Sequence, residues 1–584
     1  MSQLFERRKN NRMVKTGLLI ISVLLLSYFS ISPFFVDGFF SFHDDTQVER
    51  VFTMHKSLSD GQFPVRWVAD LGYHYGYPIF NFYAPFAYYV GAFSMALGFD
   101  ALSSTKIMMA LGVILSGASM YLFAREFWGR LGGMLSALLY VYAPYHAVNV
   151  YVRGAVAEFW AYAFIPFAFY GIYKVFLFSN NSLFISKNQK VFVCGWIIVG
   201  ALGYAGVIIS HNLTAMMVTP FLFAFTLLLV VFTKSKKALL LSTLYVFLLS
   251  FSLSAFYWLP VFTEMHYTNV LSQVGGGSDY KDHFVCPMQL ITSPWGFGGS
   301  TPTCLDGMSY IIGKAHLVLF VFGFFGIVFL RREGRIQRLV GWFAVLSALI
   351  ATFLLLKESK IIWDSIPQMA FLQFPWRFLL IVTFFISFVG GGALFLLQKL
   401  PRVPLFFAWS ILIIGVIVIN ADHFVPQKFN QKDVAEYTSV NNLWWRTSKI
   451  SDEYLPADFE KPQEETAVPT KKISSRDGFV VDSLTETTNR ITAKIHAQKS
   501  GELLIHHAYF PGWSAMIDNQ EAIIQPDPQG IRIFIPQGEH TLMLSYHQTA
   551  IEQVGNLLSM TGFLMIILGI IKVIKSSNRR SSIN

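Results

Sequence analysis

Metal-ligand spacing is missing from this sequence. It contains no HExxH pattern and no closely spaced set of histidines and cysteines, so a structural zinc is not expected. A strand leading through a glycine-rich turn into a helix is missing as well, which argues against the Rossmann-type sheet of soluble nucleotide-sugar enzymes. The glycine runs that do occur, Gly275-Gly276-Gly277 and Gly296-Phe297-Gly298-Gly299, lack the Lys-Ser/Thr ending of a phosphate-binding loop and read as a mobile gate or an inert flexible loop. Charge is scarce, at 14% of residues; with 54% hydrophobic residues and a mean hydropathy of +0.48, this excludes a string of soluble domains. The net charge of +10 is divided among short basic clusters between apolar runs, so no nucleic-acid partner is expected. Of only three cysteines, Cys194 lies in an apolar run and reads as an inert packed thiol, while Cys286 and Cys304 share one loop, where an extracytoplasmic location permits a disulfide.

What is present is a polytopic membrane pattern. A bilayer core takes about 20 apolar residues to cross. Runs of that kind lie near 17–36, 104–124, 131–148, 157–177, 191–209, 213–233, 238–260, 313–330, 339–357, 376–397, 403–421 and 552–573. The basic stretch before residue 17 could introduce a signal peptide, but no small-residue cleavage site stands near Val36, so a retained first helix is expected. The run from Ala84 to Gly98 is short and begins at Pro85. Counting it as non-spanning puts Arg125/Arg130, Lys234/Lys236/Lys237, Arg331/Arg332 and Lys572/Lys575 on the side of the N-terminus. The positive-inside rule favours that choice, which gives about twelve transmembrane helices and both termini in the cytoplasm of a bacterial inner (plasma) membrane.

Three regions follow from this topology. Residues 1–421 form the transmembrane domain with a large first outer loop, 37–103; residues 422–551 form an outer domain; residues 552–584 form a last helix and a cytoplasmic tail. In the first loop, residues 44–59 carry a loosely helical apolar pattern that predicts a helix along the interface. The outer domain turns into short alternating strands, 479–481, 490–496, 503–507, 531–535 and 541–546, broken by turn residues, which predicts a small antiparallel β-sandwich.

Polar residues collect at the outer ends of the apolar runs. Asp44 and Asp45 follow the first run, and Arg153 with Glu158, His211, Glu264 with His266, and Arg377 follow later ones. A carboxylate beside a lipid-facing cleft can take a proton from an attacking hydroxyl, and arginines can hold a leaving phosphate. Each also has a plainer role: the aspartates as helix caps, Arg153 and Glu158 as a structural ion pair, His211 as a loop histidine, Arg377 as a snorkelling side chain. Adjacent aspartates are also of the type that holds Mg²⁺ or Mn²⁺ through a phosphate.

A long first span, an acidic motif in a large first outer loop, many further spans and an outer C-terminal domain resemble the GT-C superfamily of integral-membrane glycosyltransferases. More narrowly, His43-Asp44, the stretch from Gly61 to Trp67, the stretch from Gly72 to Pro78, Ala143-Pro144-Tyr145, the stretch from Arg153 to Glu158 and Phe374-Pro375-Trp376-Arg377 are similar to a bacterial membrane family labelled 6-pyruvoyl-tetrahydropterin synthase-related. The segment from Tyr509 to Trp513 through to Pro536–His540 resembles the C-terminal region of YfhO-like proteins. The resemblance implies transfer of a sugar from a polyprenyl-phosphate carrier to an envelope glycan, lipid or protein, among membrane lipids. It places the catalytic acid at Asp44 or Asp45 and adds His43, Arg66 and Tyr77, inside those motifs, to Arg153, Glu158, His211 and Arg377 as substrate-binding candidates. The alternative is a non-catalytic flippase or export component for lipid-linked saccharides, or an envelope assembly scaffold; a transporter places its ionisable residues near mid-membrane.

Overall fold

The computed structural model describes residues 17, 21–180, 187–330, 334–397, 400–474 and 478–581. Within the run at 17–36, residues 18–20 lie outside the described residues. In the first outer loop, strand β1 (Phe39–Phe40) precedes helix α1 (Gln47–Ser59) and helix α2 (Phe86–Ala96). α2 has 11 residues, about 16 Å at 1.5 Å per residue, too short to cross a bilayer. It packs on α1 and on helix α3 (Ala101–Val141).

α3 is one continuous assignment of 41 residues, but Gly129 within it sits at φ 70° and ψ −173°. The two halves run side by side: a Cβ placed on Gly117 would come within 2.8 Å of Val141, and one on Gly133 within 2.9 Å of the Arg125 backbone. The expected runs 104–124 and 131–148 are the two arms of this hairpin, and only glycine reverses the chain there without strain.

Then come α4 (Val156–Asn180), α5 (Lys187–Ser210), α6 (Asn212–Phe232), α7 (Lys236–Leu253), α8 (Ala255–Glu264), α9 (Lys314–Val328), α10 (Arg335–Leu355), α11 (Leu379–Gly390), α12 (Arg402–Asn420) and α13 (Ala550–Ser581). Among the described residues nine helices are long and apolar enough to cross a membrane. The sequence expectation of about twelve is higher for three reasons: α3 holds two of the runs, the first is only partly described, and α9, at 15 residues, is short. The run 238–260 breaks at Ser254, which separates α7 from α8. Cys286 and Cys304 form a disulfide in the loop between α8 and α9, as an oxidising outer compartment allows.

β2 (Phe429–Asn430) pairs with β1, so the segment after α12 is stitched to the first outer loop. Beyond it, β3 (Phe479–Thr487), β4 (Arg490–Ala497), β6 (Trp513–Ile517), β7 (Gln520–Ala522) and β10 (Gly538–Tyr546) form a five-stranded sheet in the order β3-β4-β10-β6-β7. β5 (Gly501–Ile505), β8 (Gln525–Asp527) and β9 (Gly530–Ile535) form a second sheet, and all pairings are antiparallel. Ile491, Ala493 and Ile495 of β4 share a buried core with Ile531, Ile533 and Ile535 of β9, the alternation expected of half-buried strands.

Candidate active site

Asp44 reaches its place through the backbone. The N–H groups of His43 and Asp44 donate to the carbonyls of Val152 and Arg153, both at 3.0 Å, so the chain after β1 lies against the residues that lead into α4. Gly154 permits this approach: at φ 63° it packs face-on to Phe42, and an added Cβ would overlap the phenyl ring. Gln47 locks the junction, donating from Nε2 to the Asp44 carbonyl at 3.1 Å and to the Gly154 carbonyl at 3.0 Å. The aspartates do not cap α1, whose N-cap is Thr46.

One cavity of about 380 Å³ is lined by Asp44, Arg153, Glu158, His211 and Arg377. The residues that the sequence scatters over more than three hundred positions thus meet in one place, where α4, the α5–α6 junction and the start of α11 converge. Arg153 is committed: Nη1 donates to Glu158 Oε2 at 2.8 Å and to Asn149 Oδ1 at 2.5 Å, while its guanidinium lies 4.5 Å over the Trp376 ring. Glu158 also accepts from the Tyr145 hydroxyl at 2.6 Å. The His211 Nδ1 meets Thr214 Oγ1 at 2.8 Å. Burial, opposed by Glu158 and helped by Arg377 and Arg153, lowers the His211 imidazole to about 3, so it is neutral at physiological pH.

Arg377 differs. Nη1 donates to the Leu372 carbonyl at 3.0 Å, Nε is buried with no partner, and no carboxylate lies within ion-pair distance among the described residues. The side chain is only 9% exposed. A buried guanidinium without a counter-anion is costly unless a ligand supplies one. Asp44 is complementary: its carboxylate makes no hydrogen bond or ion pair among the described residues and faces the cavity. Gln373 also lines the cavity, at φ 62°, a conformation that non-glycine residues rarely adopt.

Four of the sequence candidates lie elsewhere. Asp45 is outside the cavity; burial, opposed by nearby Lys432, raises its carboxyl above the usual range. His43 is exposed and meets the Phe297 carbonyl at 3.0 Å through Nε2. Arg66 is a buried strut, donating to Asn81 Oδ1 at 2.8 Å and Asn556 Oδ1 at 2.9 Å, and so ties the first loop to α13. The Tyr77 hydroxyl donates to the Ser451 carbonyl at 2.9 Å. The chain turns tightly here, with Thr46 N donating to the Asp44 carbonyl at 2.8 Å, and of the two aspartates only Asp44 lines the cavity. Glu264 likewise turns away, accepting from Thr549 Oγ1 at 2.5 Å. The cavity also contains residues that the sequence reading missed: Tyr83, Glu453 and Tyr454. The signal for Glu453 and Tyr454 was the run Ser451-Asp452-Glu453-Tyr454, polar and aromatic together inside a segment rich in charge. Among the described residues no three of His, Cys, Asp or Glu are grouped to hold a metal.

No family model matches the chain. An uncharacterised protein of Lactococcus lactis subsp. cremoris (strain MG1363) is 23% identical over 259 residues, 42% of this chain and 39% of that protein, so the match spans well under half of the relative. The archaeal oligosaccharyltransferase AglB from Archaeoglobus fulgidus, solved with an inhibitory peptide and a dolichol-phosphate, superposes with a TM-score of 0.50 at 14% identity, over 80% of this chain and 62% of that one. ArnT from Cupriavidus metallidurans bound to undecaprenyl phosphate gives 0.38 at 14% identity over 69% and 63%, too loose to carry an argument. At this identity the likeness is one of fold. The chain is similar in fold to the archaeal oligosaccharyltransferase, over 80% of its own length. The pterin-related label and the YfhO-like segment find no counterpart among these matches.

Proposed function

We propose that this protein is a membrane glycosyltransferase that moves a sugar from a polyprenyl-phosphate carrier to an acceptor at the outer face of a bacterial plasma membrane. The observation that carries the reading is the pairing, within one cavity, of the free Asp44 carboxylate with the unpaired, buried Arg377 guanidinium. Asp44 takes the proton of an acceptor hydroxyl as its oxygen attacks the anomeric carbon. The bond from that carbon to the phosphate oxygen breaks, and the phosphate leaves with the electron pair, held by Arg377. Arg153, fixed by Glu158, supplies the floor, and neutral His211 offers a hydrogen bond to the substrate. The acceptor is an envelope polysaccharide, a lipid or a protein. Of the adjacent aspartates Asp44 lines the cavity, and a Mg²⁺ or Mn²⁺ ion would be held there through Asp44 and the carrier phosphate.

The test is transfer by the full-length protein in nanodiscs, supplied with radiolabelled undecaprenyl-phosphate sugars and crude envelope acceptors. Asp44→Asn should lower kcat by about 10²- to 10⁴-fold, while Asp45→Asn stays near wild type. Arg377→Gln should weaken undecaprenyl-phosphate binding by about 10- to 100-fold, the value of a charge-assisted hydrogen bond. If Asp44→Asn retains full activity the assignment is wrong; a wild type that binds the lipid without transferring favours the flippase alternative, and one that does neither favours the scaffold.

A further inference from the structure

Beside Asp44 and the Arg153-paired Glu158, the cavity has a third carboxylate. Glu453 comes from the segment after α12, and this segment is fastened as a fixed wall to the first outer loop, where Asn442 Nδ2 donates to Glu49 Oε1 at 2.6 Å and the Tyr73 hydroxyl to Asp452 Oδ2 at 3.0 Å, and to the loop between α8 and α9, where Asn269 N donates to the Leu455 carbonyl at 2.9 Å. A directional hydrogen-bond chain joins the wall to the Asp44 backbone. Gln47 donates to the Asp44 carbonyl at 3.1 Å, and the Tyr88 hydroxyl donates to Gln47 Oε1 at 2.7 Å. Arg50 donates to the Tyr88 oxygen at 3.3 Å and, through its other terminal nitrogen, to Ser451 Oγ at 2.8 Å; Ser451 Oγ then donates to Glu453 Oε1 at 3.3 Å. Each hydroxyl in the chain donates once, so the two sides of the cavity are held in register.

Glu453 is left under-satisfied by this arrangement. Apart from its own backbone N–H, its hydrogen-bond donor is Ser451 at a long 3.3 Å, and no cation lies within ion-pair distance among the described residues, the two terminal nitrogens of Arg50 being used on Tyr88 and Ser451. An ionised carboxylate accepts about four hydrogen bonds. One lining a cavity with these two donors retains room for donors from a ligand. The phosphate end of the cavity offers arginines, which cannot accept, whereas the ionised form of Glu453 only accepts.

We infer that Glu453 is a recognition residue for the acceptor, taking a hydrogen bond from a hydroxyl of a polyol or glycan and thereby orienting it toward Asp44. The inference rests on the glycosyltransferase reading above. It assigns acceptor choice to the segment after α12 and donor-phosphate binding to the α11 end. Burial, opposed by Arg50, raises the Glu453 carboxyl above its ordinary range, and a hydroxyl donor would favour its ionised form.

The full-length protein in nanodiscs is assayed with an undecaprenyl-phosphate hexose and graded envelope polysaccharide, and undecaprenyl-phosphate binding is measured separately. Glu453→Gln should raise the acceptor KM by about tenfold or more with kcat and lipid affinity little changed. Glu453→Asp should recover part of the loss, and among singly deoxygenated acceptors that keep the attacking hydroxyl, the one lacking the contacted hydroxyl should erase the difference between wild type and variant. An unchanged acceptor KM in Glu453→Gln, with lipid binding and transfer intact, overturns the acceptor role alone. A wild type without lipid binding or transfer overturns the underlying glycosyltransferase reading, and the acceptor role with it.

Discussion

Asp44 N donates to the Arg153 carbonyl at 3.0 Å, a main-chain contact that brings the end of the first span to the mouth of α4. The contact depends on Gly154, which at φ 63° leaves room for the Phe42 ring. Gly154→Val should therefore displace Phe42 and the Asp44 backbone together. A β-branched residue in this conformation costs roughly 1–3 kcal/mol before any clash. We expect a lower thermal midpoint and loss of most transfer activity, with undecaprenyl-phosphate binding affected less than turnover. Wild-type turnover in Gly154→Val would show that Asp44 is not held through this contact.

Arg153 and Glu158 are buried together at 2.8 Å. Removing one partner leaves the other charge unpaired, so Glu158→Gln and Arg153→Gln should each destabilise the protein by about 3–5 kcal/mol. The double variant should be more stable than either single one. Denaturation of all three in the same detergent gives the coupling directly, and simple additivity would argue against a paired site.

Glu49 supplies a pH test outside the membrane-spanning segments. Burial, opposed by its hydrogen bond from Asn442 and reinforced by Asp45, raises its carboxyl from 4.5 to about 7. The folded protein keeps this proton up to about pH 7, whereas the unfolded chain loses it near 4.5. The stabilisation is therefore complete below about pH 4.5, falls as pH rises, and is lost above about pH 7, by roughly 3 kcal/mol at most. Glu49→Gln should flatten this part of the profile and narrow the gap between wild-type and variant midpoints at pH 5 relative to pH 8. Parallel profiles for the two proteins would contradict it.

Helix ends were legible because hydropathy marks where a chain leaves the bilayer, and a charged residue at such an end is conspicuous. Asp44, Arg153, Glu158, His211 and Arg377 were found that way, and all five line one cavity. Glu453 was not, because it stands among other carboxylates in a polar segment where charge is unremarkable. Arg66 and Tyr77 look equally conspicuous in sequence, yet their polar groups are spent on Asn81, Asn556 and Ser451. A short motif shows that a side chain is needed and leaves open whether it serves packing or substrate.

Composition and apolar periodicity by themselves determined that this is a multi-span membrane protein with a strand-rich C-terminal region, since burial in lipid and alternation along strands are properties of local sequence. Tertiary structure alone decided which of two adjacent aspartates faces the cavity, which arginine is already paired, and that a segment four hundred residues downstream completes the site. Those outcomes depend on backbone direction and on long-range hydrogen bonds, such as Arg50 to Ser451, that no local pattern encodes.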